Sequence, residues 1–289
     1  MTPDSAFAQP GPMTDPGPHG PLLDALPPTV ADLAAVVPGL LLHEHWATSY
    51  GIVLTEERRS ESHIRPLQAM LDRVLALDDR PLDRERPADR RVVGTCRDFT
   101  VLTVAMLRRQ GVAARARCGF ATYFVPDRAV DHWVAEYWDA AQQRWIMLDA
   151  QLDPFQRRHL HPDFDPLDVP RDRFLVAGEA WRRCRNGEAD PAQFGIFDLW
   201  GLGFIAGNIL RDLAALNGME MLPWDCWGAM PDIQAPIDGA HLALFDRLAA
   251  LTLDPDRNLA ELRRVYAADE RLRVPHSVYN ARTFRPETV

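Results

Sequence analysis

Three residues near the middle of this 289-residue sequence carry the side chains needed for nucleophilic thiol chemistry: Cys96, His132 and Asp149. A thiol attacks carbonyls as its thiolate, and the N-terminus of a helix stabilises that anion through unpaired N–H groups and the helix dipole. After Cys96, the residues Phe99, Leu102, Thr103, Met106 and Leu107 recur at helical spacing, and Gly111 follows as a stop. This pattern predicts a helix over 96–110 with Cys96 in its first turn. An imidazole in reach would take the thiol proton, and a carboxylate would hold that imidazole in the useful tautomer and stabilise it once charged. His132 opens one strand-like run and Asp149 closes the next. If those runs form a hairpin, the two side chains lie at matching levels of the ladder.

The elements that must position these groups are legible in outline. Residues 113–125 alternate partly, 131–138 are rich in aromatics and valine, and 144–149 follow a polar turn from Asp139 to Gln143. The last two runs read as a hairpin. A helix followed by an antiparallel sheet points to an α+β fold. Upstream, Ile64, Leu67, Leu71, Val74 and Leu75 predict an amphipathic helix over 64–77, and Thr29 is placed to cap a short helix. From residue 150 onward the pattern turns helical, with helices expected over 177–186, 198–217, 238–251 and 257–268. Residues 1–28 hold eight prolines and read as a flexible arm. The expected division is therefore an arm (1–28), a core with N-terminal helices (29–155) and a mainly helical extension packed on the core (156–289).

Composition narrows the function classes. All 32 basic residues are arginine, so lysine-dependent chemistry is excluded. Residues 1–57 carry seven acids and no base, while the remaining 34 acids stand against 32 arginines. Such a chain lacks the electrostatic footprint of a general nucleic-acid binder. No run approaches the roughly 20 apolar residues of a spanning helix, and no basic region precedes an apolar run near the start. Cys96, Cys118, Cys184 and Cys226 form no C-x-x-C pair, so free thiols in a cytoplasmic protein are expected.

The local words around the three residues are more specific than their types. Gly94-Thr95-Cys96-Arg97-Asp98-Phe99, then Ala114-Arg115-Ala116-Arg117, then Asp131-His132-Trp133-Val134-Ala135-Glu136, then Arg144-Trp145-Ile146-Met147-Leu148-Asp149, resemble the bacterial branch of the transglutaminase-like superfamily. The resemblance covers about residues 60–155. It implies a papain-like α+β core and acyl transfer through a thioester on Cys96, with His132 as base and Asp149 orienting it. The acceptor would be water, as in an amidase or peptidase, or an amine, as in an amide-forming enzyme of small-molecule biosynthesis. Small-molecule, peptide and carrier-bound acyl groups are the substrate classes that follow, and no cofactor is required. Animal-type crosslinking enzymes have Trp after the nucleophile, where this chain has Arg97. After Asp149 comes Ala150-Gln151, where many relatives have Pro-Thr. The core chemistry therefore transfers, and protein crosslinking does not. The alternative from another class is a non-catalytic binding module that retains the fold; loss of one of the three residues would have favoured it.

Other residues define secondary expectations. Arg97 is an ion-pair partner or a clamp for a substrate carboxylate, and Trp133 packs in the core or contacts substrate. The segment 197–230, rich in Trp, Met and Gly, packs on the sheet or lines a pocket, with Asn208, Glu220 and Trp224 as its substrate-facing candidates. The Cys96 N–H is one oxyanion donor, and Tyr50, His63 or Gln68 would supply the second. His43-Glu44-His45 and His159-Leu160-His161-Pro162-Asp163 are ligand-rich but lack a third cluster, so no metal site is expected.

Overall fold

A computed structural model describes residues 5–289, and the first four residues of the expected arm lie outside them. The chain divides into two compact units that interleave in sequence: residues 1–116 with 134–169, and residues 117–133 with 170–289. This differs from the expected division at residue 155.

The first unit contains helices α1 (Gly20–Asp24), α2 (Val30–Leu40), α3 (Glu56–Ser60), α4 (Leu67–Leu77), α5 (Cys96–Arg109) and α6 (Pro154–Leu160). Its strands β1 (Leu41–His43) and β2 (Val92–Gly94) form a short parallel pair, with Leu42 opposite Val93. Thr29 caps α2 by accepting the Asp32 N–H, as expected. Helix α4 starts at Leu67, later than its apolar spacing suggested, because Pro66 holds the preceding backbone extended. Helix α5 is buried along its whole length except for Arg109, so it forms the axis of this unit.

Strands β3 (Ala114–Ala121) and β4 (Ala129–Asp139) supply residues to both units. In the first unit, the far end of β4 pairs antiparallel with β5 (Arg144–Leu148), from Ala135 opposite Leu148 to Asp139 opposite Arg144. The expected hairpin is therefore present. Asp139 organises its turn by accepting the N–H groups of Ala141 and Gln142.

In the second unit, β6 (Phe174–Val176) lies antiparallel to β3, β7 (Phe194–Ile196) lies parallel to the start of β4, and β8 (Leu199–Trp200) closes antiparallel on β7. The order is β6-β3-β4-β7-β8. Gly119 makes the first of these pairings possible, since a Cβ there would lie 2.2 Å from the Leu175 carbonyl oxygen. Helices α7 (Ala177–Arg185), α8 (Leu202–Leu216), α9 (Gly239–Leu253) and α10 (Pro255–Ala268) follow, and α7, α8 and α9 pack on one another. A small sheet of β9 (Asp225–Cys226), β10 (Ser277–Asn280) and β11 (Arg285–Thr288) completes the unit. The α+β class is as expected. The C-terminal stretch is mainly helical and also contributes β6, β7 and β8 to the sheet. These strands are two or three residues long, too short to show a period of two.

The unit is pinned by a buried ion pair. Arg117 on β3 meets Asp212 on α8 through two parallel bonds of 3.0 and 2.9 Å, and Asp212 also accepts the Cys118 N–H at 2.9 Å. Arg117 donates further to the Thr252 carbonyl at 2.8 Å. Burying a charge pair is costly unless further hydrogen bonds meet its polar atoms, as the Cys118 N–H and the Thr252 carbonyl do here.

The expected flexible arm is instead docked on the first unit. Phe7, Met13, Leu23 and Leu26 are buried, and the Phe7 ring meets Trp145 edge-on at 5.7 Å. Arg108 on α5 donates to the Phe7 carbonyl at 3.2 Å and to the Thr14 hydroxyl at 2.8 Å. Arg109 pairs with Asp24 at the surface. Proline content signals an absence of regular structure, but these apolar anchors and acceptors outweigh it. Leu23→Ala should therefore cost about 2–5 kcal/mol in urea-induced unfolding, as for other fully buried leucines. A loss below about 0.5 kcal/mol, typical of surface changes, would mean that the segment contributes no burial.

Candidate active site

Cys96 is the first residue of α5 and is buried at 7% exposure. The turn before it is fixed by Asp98. Its carboxylate reaches back to accept the Thr95 N–H at 2.7 Å and the Thr95 hydroxyl at 3.2 Å. This is the reaching-back half of a capping box. Gly94 makes room for it, since a Cβ there would stand 2.9 Å from the Asp98 carboxylate oxygen. Burial pushes the Asp98 carboxyl up, against the pull of the Arg97 guanidinium and the Thr95 N–H.

Arg97 completes the arrangement. It is fully buried, pairs with Asp98 at 2.9 Å and donates to the Arg65 carbonyl at 2.7 Å. Its guanidinium is thus committed within the fold. The ion-pair reading of Arg97 applies, and the substrate-clamp expectation is withdrawn.

Asp149 follows the last ladder residue of β5 and is 2% exposed. Its carboxylate accepts the Gln151 N–H at 3.0 Å, and its own N–H donates to the Pro166 carbonyl at 2.9 Å. The loop behind it is braced. Gln151 donates to the Gln156 side chain at 3.2 Å, and Asp153 accepts the Gln156 N–H at 2.8 Å and the Tyr50 hydroxyl at 2.6 Å. Burial, followed by the nearby Asp153 carboxylate, pushes the Tyr50 phenol well above its ordinary range, so it stays a donor. That O–H is given to Asp153, and the Gln68 amide packs against Gly17. Of the three upstream oxyanion candidates, Tyr50 is thus engaged locally. The Asp149 loop borders an open cleft of about 890 Å³ that Tyr50, Arg91, Asp153 and Phe155 also line.

His132 lies on β4 in the second unit and is 2% exposed. Three aromatic rings surround it: Phe124 at 4.9 Å, Tyr123 at 5.9 Å and Phe174 at 6.2 Å, each steeply inclined to the imidazole. The preceding residue, Asp131, accepts the Asn208 amide at 2.7 Å, and the other end of Asn208 accepts from Arg211 at 3.1 Å. Burial pushes the Asp131 carboxyl up, opposed by Arg211, Asn208 and His132. Asn208 is fully buried with its amide engaged at both ends, so it supports the strand beside His132. The expectation that it binds substrate is withdrawn.

The remaining candidates also belong to the second unit. Trp133 is 1% exposed, which places it in the core. Glu220 is fully buried, and its charge helps raise the Tyr266 phenol, behind the larger effect of burial. Trp224 is half-buried under the Arg282 guanidinium, 4.2 Å from the ring centre. Of the ligand-rich patches, His43 and Glu44 are buried, and His159 stacks on Phe155 at 4.2 Å. The run 113–125 reads as one strand, so the sequence gives no sign that Tyr123 and Phe124 stand against His132. The strand stops at Ala121, and the two rings turn back onto His132.

Residues 77–150 match the transglutaminase-like superfamily. The match covers about a quarter of the chain. That stretch contains Cys96, His132 and Asp149, together with α5 and the β4–β5 hairpin. No curated protein is significantly similar to the chain. Among solved structures, a protein from Cytophaga hutchinsonii described as a putative cysteine protease aligns at 14% identity with a TM-score of 0.36. The alignment covers 59% of this chain and 44% of that one, so it spans less than half of that protein's length. Among the described residues, no helix is long and apolar enough to cross a membrane.

The role of Asp98 at the start of α5 can be measured directly. Asp98→Ala removes the acceptor of the Thr95 N–H and leaves Arg97 charged and buried. It should cost about 3–5 kcal/mol by urea titration. Asp98→Asn, which keeps an acceptor oxygen, should cost less. A loss below about 1 kcal/mol for Asp98→Ala would show that the carboxylate does not hold the start of α5.

Proposed function

We propose that the chain is a cysteine-dependent acyl-transfer enzyme in which Cys96 is the nucleophile, His132 the general base and then acid, and Asp149 the residue that orients His132. One observation carries this reading. The family match spans all three residues in the order Cys, His, Asp, and the cysteine is the first residue of a long buried helix.

The chemistry follows from the groups. Cys96 passes its proton to His132, and the thiolate attacks the carbonyl carbon of an amide, ester or thioester. The Cys96 N–H at the start of α5 is one donor to the oxyanion that develops. As the tetrahedral intermediate collapses, the bond to the leaving amine, alcohol or thiol breaks and His132 returns the proton to it. The acyl group is then held as a thioester. Water or an amine next attacks that thioester while His132 takes the acceptor's proton, and the thiolate leaves and is reprotonated. The Asp149 carboxylate stabilises the imidazolium formed in both halves.

Intact-mass measurement with a panel of activated acyl donors, including carrier-bound ones, tests this sequence of steps. The expected result is one added acyl group, mapped to Cys96 and absent in Cys96→Ala. His132→Gln should slow its formation by roughly 100-fold or more. Asp149→Asn should slow it by up to about 10,000-fold. Acylation at another cysteine, or none with any donor, contradicts the proposal.

A further inference from the structure

The rings beside His132 suggest what the acyl group looks like. Tyr123 and Phe124 lie 4.8 Å apart, centre to centre, on the loop that leaves β3. Both stand against the imidazole, and both are only half-buried. The third ring, Phe174, is fully buried behind them. Next along the loop, Val125 is 46% exposed. The loop therefore presents two aromatic rings and a branched aliphatic side chain, partly open to solvent, next to a histidine that is itself 2% exposed.

Packing alone does not call for this arrangement. Large rings stabilise a fold most when fully buried, as Phe120 and Phe174 are on the same sheet. Tyr123 and Phe124 instead stay partly open to solvent beside His132, the base of the proposed reaction. The charged loop residues, Asp127 and Arg128, come after the apolar three, and Arg128 is turned away onto the Trp200 ring, 4.7 Å from its centre, and the Ala192 carbonyl. The loop beside His132 thus presents mainly apolar side chains, with the Tyr123 and Phe124 rings inclined at 48° to one another.

We infer that Tyr123 and Phe124 form an acyl subsite that selects donors with an aromatic or bulky apolar acyl group over small or charged ones. This rests on the acyl-transfer reading above and adds the substrate class. A ring packed on Phe124 excludes water from the carbonyl and gains an aromatic pair, while a short acyl group leaves the rings wet. Phe124 is a specificity-determining residue on this account.

The test uses the full-length protein and four thioesters with one shared leaving group: phenylacetyl, isovaleryl, acetyl and succinyl. Acylation of Cys96 is followed by intact mass. The wild-type protein should favour phenylacetyl over acetyl by at least about 10-fold in kcat/KM, the range open to one apolar contact surface. Phe124→Ala should reduce that ratio about 10-fold. Phe124→Leu, which keeps apolar bulk without the ring, should reduce the phenylacetyl-to-isovaleryl ratio and retain the fold. If Cys96 is acylated by all four donors without preference, or if Phe124→Ala slows all four equally, the subsite is overturned while the acyl-transfer reading stands. If no donor acylates Cys96, the acyl-transfer reading falls and the subsite with it.

Discussion

The start of α5 depends on one carboxylate. Asp98 is held between the Thr95 N–H and hydroxyl on one side and the Arg97 guanidinium on the other, and all four residues from Thr95 to Asp98 are buried. Without the carboxylate, a helix N-terminus and an arginine would both sit uncompensated in the core. With it, the turn between β2 and α5 has one low-energy form, and Cys96 enters the helix at a fixed place. The Gly-x-Cys-Arg-Asp word follows from this physics. Gly94 gives space to the carboxylate, Cys96 takes the first helical position, Arg97 balances the buried charge, and Asp98 closes the turn.

The same device recurs in each unit, and it explains how an arginine-only chain buries so much charge. Arg115 pairs with Glu136 at 2.7 Å and lies over the Trp145 ring, 3.7 Å from its centre. Two residues on, Arg117 makes its two-bond pair with Asp212. A planar guanidinium meets a carboxylate through parallel bonds and stacks on aromatics, which an ammonium cannot do. Docking of the N-terminal segment uses the same chemistry, with Arg108 donating to the backbone and Arg109 to Asp24. The acidic, arginine-free N-terminus thereby finds partners on α5.

What was legible in the sequence had long-range or strongly patterned signals. Helix α5 showed its apolar period, the β4–β5 hairpin showed aromatic and β-branched runs around a polar turn, and the motif words fixed the α+β core. What was not legible was short or depended on packing. Strands β6, β7 and β8 carry two or three residues each and acquire their identity from β3 and β4. Phe7, Met13 and Leu23 were hidden among prolines, although they are the residues that dock. Arg97 and Asn208 have side chains suited to binding a ligand, and only the structure shows their groups engaged within the protein. Tyr123 and Phe124 looked like the end of a strand and instead cover His132.

The central claim is that the place of Cys96 at the buried N-terminus of α5 makes it the activated thiol of the chain. Timed alkylation with iodoacetamide at pH 6–7, followed by peptide mass spectrometry, compares all four cysteines in one folded sample. Cys184 supplies the reference, since burial and the nearby Asp190 push its thiol up to about 11. The account predicts that Cys96 reacts at least about 10-fold faster than Cys118, Cys184 and Cys226, as expected for a thiolate stabilised at a helix N-terminus. Alkylation of Cys96 at or below the rate of Cys184 would contradict it.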